Sequence, residues 1–300
     1  MISSVFVAKM AGRRGTPTHN TFEPNNTMNR ERPRILLGIT GSIAAVKGPR
    51  LALILSQSIK ADVKVVLTRT VEQYFWKGGV TESYDEDAWK EFWAVVKSCE
   101  NVKAGDTEVK DWVSSNGSIS IHCKCIAPLV FISLQCLPIV VSDAEEEWNN
   151  YENLSSPVLH IELRNWADTL LIAPLSAHTL AKIANGLCDD LLSCIVRAWD
   201  FGQRKDQNGN PNGKPLILCP AMNTAMWDHV LTRRQLYLIR GFGGCADDKS
   251  LVTVVEPVVK KLACGDVGAG ALAELEDIVC CVRNCLDAEP ISSSGNVSGS

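Results

Sequence analysis

The sequence predicts a three-layer α/β fold, in which helices cover both faces of a doubly wound parallel sheet. The first observation is the order strand, glycine turn and helix in RILLGITGSIAA and the apolar helical pattern that follows, over residues 34–59. The second is that the short, nearly unbroken apolar strands DVKVVLTRT, TLLIAP and PLILCPAMN recur between helical patterns. Such strands are typical of a parallel sheet that is buried on both sides.

The elements follow one another in a regular order. The first strand is predicted to end at Leu37, the chain to turn through Gly38–Gly41, and a helix to follow over 45–59. Later strands are predicted at 62–70, 169–174 and 215–223. The two Asn-Gly pairs of 204–214 predict a surface excursion. Ligands of parallel sheets bind outside the carboxyl ends of the strands, so the residues directly after each strand are the candidates for a site.

Composition narrows the class of protein. The 300 residues are 46% hydrophobic and 21% charged, as in soluble globular proteins, and the net charge of -4 argues against a nucleic-acid partner. The twelve cysteines are scattered through apolar runs, and we find no signal-peptide pattern, so we expect reduced thiols and a cytoplasmic protein. The apolar run 126–141 contains two prolines and is shorter than the ~20 residues that cross a bilayer, so no membrane span is expected.

The predicted domain organisation has one folded unit. Residues 1–33 lack periodicity and are predicted to form a disordered arm, 34–286 a single domain, and 287–300 a disordered tail. Within the domain, about 76–138 shows no clear period and is predicted to be an atypical insertion. Its HCKC segment, 122–125, lacks a second ligand pair at zinc spacing, so we predict no metal site.

GITGSIAA, residues 38–45, places a glycine turn at the start of a helix. Unpaired N–H groups and the helix dipole favour a phosphate there. The segment is neither G-x-x-x-x-G-K-[ST] nor G-x-G-x-x-G, so neither a P-loop nor a standard dinucleotide site is supported. On these residues alone, a phosphate site and a tight structural turn both remain open.

The chain resembles the flavin-dependent cysteine decarboxylases in four blocks, which occur in the family's order and cover most of 34–75 and 139–286. The blocks are GITGSIAA, LHIELRNWADTLLIAPLSAHTLAKIANGLCDDLLSCIVRAWD, PAMNTAMW and KKLACGDVGAGALAE. The resemblance implies a flavodoxin-like or Rossmann-like flavoprotein domain that binds FMN and assembles as a homotrimer with sites at subunit interfaces. The implied FMN-binding residues are Gly41, Ser42, Ile43, Thr68, Ser176, Ala177, His178, Thr179 and Ala221.

The resemblance also implies the catalytic residues. His160 falls on the family's active-site histidine, although a lone histidine by itself is more often structural. With Ser156 as N-cap and Pro157 as the first helical residue, His160 would lie in a first turn, where the helix dipole favours neutral imidazole. Cys264, in the glycine-rich ACGDVGAG, is implied as the proton donor. The implied substrate-binding residues are Asn223, Met226, Lys261, Ala263 and Leu272.

The implied reaction is the decarboxylation of 4'-phosphopantothenoylcysteine to 4'-phosphopantetheine in coenzyme A biosynthesis. When an unactivated carboxylate loses CO2, the electrons left on carbon have no acceptor. Oxidation of the thiol-bearing carbon to a thioaldehyde with FMN provides that acceptor. One residue departs from the family pattern S-A-N-T, because His178 stands where asparagine is usual.

Two other functions compete with this interpretation. Some members of the family are inhibitory subunits of a protein phosphatase. Here His160, Asn223 and Cys264 occur together and the long acidic tail of such regulators is missing, so the enzyme is favoured. A nicotinamide-dependent oxidoreductase is disfavoured because the chain lacks G-x-G-x-x-G.

Overall fold

A computed structural model describes residues 32–76, 79–101, 139–141, 158–205, 211–243, 251–261 and 267–287. These residues belong to one compact unit that begins at Arg32. The predicted arm up to residue 31, the HCKC segment and residues 288–300 of the predicted tail lie outside the described residues.

Ten strands occur in the described residues. In chain order they are β1 (Arg34–Ile39), β2 (Asp62–Leu67), β3 (Ile139–Val141), β4 (Thr169–Leu175), β5 (Phe201–Lys205), β6 (Pro211–Gly213), β7 (Leu216–Pro220), β8 (Val252–Val254), β9 (Val258–Lys261) and β10 (Val267–Ala271). Six of them form a parallel sheet in the order β3-β2-β1-β4-β7-β8. The predicted doubly wound fold is confirmed, and the strand order is the Rossmann order, in which the direction of winding reverses between β1 and β4.

Helices cover both faces of this sheet. In chain order they are α1 (Gly48–Ser58), α2 (Val80–Tyr84), α3 (Glu86–Asn101), α4 (Leu159–Trp166), α5 (Ala177–Asn185), α6 (Leu191–Arg197), α7 (Thr224–Trp227), α8 (Val230–Arg240) and α9 (Leu275–Asp287). Alternate side chains of β1 point to opposite faces: Ile35, Leu37 and Ile39 join the core beneath α1, α3 and α9, and Leu36 joins the core beneath α4, α5, α6 and α8. None of the described helices is long and apolar enough to cross a membrane.

The first strand continues further than the sequence predicted. Gly38 was assigned to a turn, but β1 runs through it to Ile39. A Cβ atom at Gly38 would lie 2.8 Å from Leu192 Cδ1 of α6, so this glycine permits close packing of a helix on the strand. The chain turns after Ile39, and a 3-10 helix over Ile43–Lys47 then leads into α1.

The described part of the predicted insertion is helical. Residues 79–101 contain α2 and α3, which lie between β2 and β3 in the chain. Ala88, Phe92 and Val96 of α3 are buried in the core at a helical spacing of four residues. Apolar residues flank this buried row on α3, which obscured the period in the sequence. The rest of the predicted insertion, 102–138, lies outside the described residues.

Two antiparallel pairs of strands lie in segments that connect elements of the main fold. The predicted surface excursion at 204–214 is bordered by the β5–β6 pair, with 206–210 outside the described residues. The second pair, β9–β10, borders residues 262–266, which are also outside the described residues and include Cys264.

Candidate functional site

A pocket of about 400 Å³ opens where β1, β2 and β4 end. Gly41 contributes to it from the loop after β1, Thr68 from the end of β2, and Ser176 from the end of β4. It therefore lies at the switch point between β1 and β4, where ligands of doubly wound sheets bind. Its volume is within the ~300–1,000 Å³ of small-molecule sites.

Thr40 fixes the geometry of this switch point. Its side chain is fully buried, and its Oγ1 donates to the carbonyl of Pro174 at 2.9 Å and accepts from the Ser176 N–H at 2.7 Å. A second bond runs from the Thr40 N–H to the same carbonyl, at 3.2 Å. These contacts tie the ends of β1 and β4 together, so the floor of the pocket is held by buried hydrogen bonds.

Thr68 lines the pocket and carries a buried hydroxyl. The side chain is buried, and within the described residues its Oγ1 has no hydrogen-bond partner. A buried hydroxyl without a partner costs about 1–3 kcal/mol, so this hydroxyl of a pocket-lining residue is a candidate contact for a ligand.

Five of the nine predicted cofactor-binding residues line the pocket. They are Gly41, Thr68, Ser176, His178 and Thr179. The other four predicted residues do not line the pocket. Ser42 caps the 3-10 helix, Ile43 is exposed, Ala177 is the first residue of α5, and Ala221 is buried after β7, where its N–H bonds to the Leu175 carbonyl.

The sequence analysis missed an ionic wall of the same pocket. Lys182, one turn after His178 on α5, pairs with Asp189 at 2.8 Å and Asp190 at 2.9 Å. The hydrogen bond from Lys182 keeps the pKa of Asp189 below its ordinary value, so this carboxylate is ionised at neutral pH. The i, i+4 spacing from His178 could have identified Lys182.

Asp190 also anchors the loop between α5 and α6. Its side chain accepts from the Ser193 N–H at 2.8 Å, while Ser193 Oγ accepts from the Asp190 N–H, which is a capping box. The cap is the signal that could have identified Asp190. Arg69 and Thr70, directly after Thr68, complete the lining that was not predicted.

His160 lies apart from these pocket residues. It is the second residue of α4 and is partly exposed. The described residues that line the pocket do not include it. Its place in a first turn agrees with the sequence analysis, but the predicted N-cap was wrong. The helix begins at Leu159 with Val158 as N-cap and no side-chain cap bond, so Ser156 and Pro157 precede the helix and lie outside the described residues.

The predicted substrate-binding loop packs on the β9–β10 hairpin. Asn223 is the N-cap of α7 and its side-chain oxygen accepts from the Ala225 N–H at 2.8 Å; Met226 is 55% exposed. The Met222 N–H donates to the Gly270 carbonyl at 2.9 Å, which attaches the loop to β10.

This contact brings Asn223 to the hairpin that borders Cys264. Cys264 and Ala263 themselves lie outside the described residues. Lys261 ends β9, and Leu272 is buried in the core that contains α9. Their assignment to the substrate stays a prediction.

The fold and the pocket define a doubly wound α/β protein with a small-molecule site at its switch point. A family model described as Flavoprotein matches residues 23–287, and the chain therefore belongs to the flavoprotein family. Phosphopantothenoylcysteine decarboxylase of Mus musculus is 46% identical over 156 residues, which cover 52% of this chain and 67% of the mouse protein.

Solved structures agree with this membership. A PPC decarboxylase mutant complexed with pantothenoylaminoethenethiol is 32% identical with a TM-score of 0.56, over 86% of this chain and 100% of that chain. The FMN binding protein AtHal3 is 33% identical with a TM-score of 0.52, over 84% of this chain and 96% of that chain.

Proposed function

We propose that this chain is an FMN-dependent decarboxylase that converts 4'-phosphopantothenoylcysteine to 4'-phosphopantetheine in coenzyme A biosynthesis. The observation that carries the proposal is the switch-point pocket with the unpartnered Thr68 hydroxyl in a chain of the flavoprotein family. The names of the mouse relative and of the similar solved structures support the substrate and the cofactor.

The residues of the pocket fit FMN. The Thr68 hydroxyl can hydrogen-bond a polar edge of the ring, and α5, capped by Ser176, directs its positive end toward the pocket. Gly41 keeps the wall after β1 free of a side chain, and Arg69 adds a cation. A helix N-terminus and a cation together favour the phosphate of the nucleotide.

The chemistry divides between the cofactor and the protein. FMN, when bound, supplies a hydride acceptor and then a hydride donor, which makes the overall reaction redox neutral. Decarboxylation requires a carboxylate held in place, a base and an acid. We assign the carboxylate to Asn223, the base to the imidazole of His160 in the oxidative half, and the acid to the Cys264 thiol in the reductive half.

The proposed assembly is a homotrimer. Within the described residues of one chain, His160 and Asn223 do not line the pocket that contains Thr68, which supports a site that a neighbouring copy completes. α8 also exposes an apolar stripe at helical spacing, which a partner would cover. Its residues Val230, Leu231, Tyr237 and Leu238 are 56%, 51%, 82% and 51% exposed. Light scattering should give three times the chain mass.

The proposed location is the cytoplasm. Cys188, Cys219 and Cys280 are free, and free thiols support the proposed cytoplasmic compartment.

The first experiment is a visible absorption spectrum of the purified protein, followed by a CO2 assay with 4'-phosphopantothenoylcysteine. We expect the bands of oxidised flavin and CO2 release. A colourless protein that FMN does not reconstitute would refute the cofactor proposal. Bound flavin with no CO2 release would refute the decarboxylase proposal while leaving the cofactor site intact.

A further inference from the structure

Helix α9 carries three cysteines, and two of them form a pair outside the residues assigned to the proposed active site. Cys281 and Cys285 are four residues apart, so they lie on the same face of the helix. Both side chains are partly exposed and pack on the edge of the core that α9 covers. They therefore form a helical dithiol that solvent can reach.

Residues of two neighbouring strands face this dithiol. Thr253 of β8 places its Oγ1 3.9 Å from the Cys285 sulfur, within hydrogen-bond distance for sulfur. Cys219 of β7 lies close enough to affect Cys281 and is fully buried. Cys280 is exposed, and the amide of Asn284 donates to its sulfur at 3.9 Å.

The two sulfurs of the dithiol share a proton unequally. A hydrogen bond from Cys281 lowers the pKa of Cys285 to about 6, burial opposes this effect, and Thr253 adds a second hydrogen bond. The same hydrogen bond and burial raise the pKa of Cys281. Burial alone raises the pKa of Cys219, which makes it inert. Of the two sulfurs, Cys285 therefore ionises more readily and Cys281 is its hydrogen-bond donor.

We propose that this pair is a modification site for low-molecular-weight disulfides, with Cys285 as the attacking sulfur and Cys281 as the residue that positions and stabilises it. The thiolate of Cys285 attacks one sulfur of R–S–S–R, a new S–S bond forms, and the R–S–S–R bond breaks. The leaving thiolate R–S⁻ takes the electron pair. Cys285 is oxidised, one reagent sulfur is reduced, and the proton of Cys281 stays where it is.

The pH profile distinguishes this site from an ordinary exposed thiol. At pH 5.5, a thiol with a pKa of about 6 has ~240 times the thiolate fraction of a thiol with a pKa of ~8.5. At pH 8.5, its thiolate fraction is only ~2 times as large. A thiolate of lower pKa is less nucleophilic, which reduces the rate ratio by about the same factor at both pH values. Steric access to the sulfur does not depend on pH, so it also cancels in the comparison. The rate of Cys285 relative to an ordinary thiol should therefore fall about 100-fold between these two pH values.

The experiment uses the full-length protein with dithiodipyridine as the probe, at pH 5.5 and 8.5. Trypsin cleavage after Arg283 separates Cys285 from Cys280 and Cys281, so mass spectrometry of the peptides gives its rate separately. Exposed Cys188, whose Sγ donates to the Gly186 carbonyl, is the internal reference. Its tryptic peptide, 183–197, also contains Cys194, so fragmentation of the peptide assigns the modified sulfur.

Three variants test the role of the neighbour. Cys281→Ala should remove most of the low-pH advantage of Cys285. Cys281→Ser keeps a hydrogen-bond donor and should restore part of it, and Cys280→Ala should change nothing. A ratio of Cys285 to Cys188 that is the same at both pH values, or a Cys281→Ala variant with the wild-type profile, would overturn the proposal. Circular dichroism checks that each variant is folded.

Discussion

Replacement of Thr68 by valine tests the pocket with nearly the same side-chain shape. The Oγ1 of Thr68 is buried and has no partner among the described residues, and Thr68 lines the pocket directly after β2. Valine removes the hydroxyl and keeps the volume. The change should therefore weaken FMN binding. In the apoprotein it should be stabilising, because it removes an unpaired polar group.

The two effects have opposite signs. Loss of a hydrogen bond to the ligand, together with an unpaired atom on FMN, costs about 1.4 kcal/mol, which is about a tenfold increase in Kd. In the apoprotein, removal of an unpaired buried hydroxyl should increase the free energy of unfolding by about 1 kcal/mol. A variant that is more stable without FMN and binds it less tightly would be hard to explain by misfolding.

Thr169→Val is the matched control. Thr169 is fully buried at the start of β4, at the end of the strand opposite the pocket, and its Oγ1 also has no partner among the described residues. The control should stabilise the apoprotein and leave FMN binding unchanged. Binding is measured by quenching of flavin fluorescence and stability by urea unfolding. If Thr68→Val binds FMN as tightly as the wild type, the assignment of Thr68 is wrong.

Two further substitutions separate cofactor binding from turnover. His160→Asn should keep the flavin spectrum and reduce CO2 release at least ~100-fold, as expected for loss of a general base; a smaller loss would contradict its role. Gly270→Ala should cost about 2 kcal/mol or more, because φ is +134° and the new Cβ would lie 2.4 Å from the Met222 carbonyl oxygen. It should also lower turnover by displacing Asn223, whereas Gly186→Ala, with φ of +71° and open space, should lower the melting temperature alone.

The sequence predicted the parts of the site that follow from the fold. Strand ends are marked by apolar runs that stop at polar residues, and this identified Gly41, Thr68 and Ser176 as pocket residues. Helical spacing and the capping box could have identified Lys182 and Asp190 separately, but not their contact, which depends on how α5 and the loop before α6 approach in space. Packing between distant elements leaves a weaker trace in the sequence than periodicity does.

The two halves of the proposed site differ in how firmly they are held, and this difference suits the chemistry. The cofactor half is made from the ends of buried parallel strands and is tied by the Thr40 hydroxyl, with contacts of 2.7 and 2.9 Å. The substrate half lies on the short helix α7 and a two-stranded hairpin joined by the Met222–Gly270 bond. A cofactor that stays bound through every turnover needs a rigid cradle, whereas substrate entry and product release need elements that open. Substitutions at the strand ends should therefore change FMN affinity first, and those at the hairpin should change turnover first.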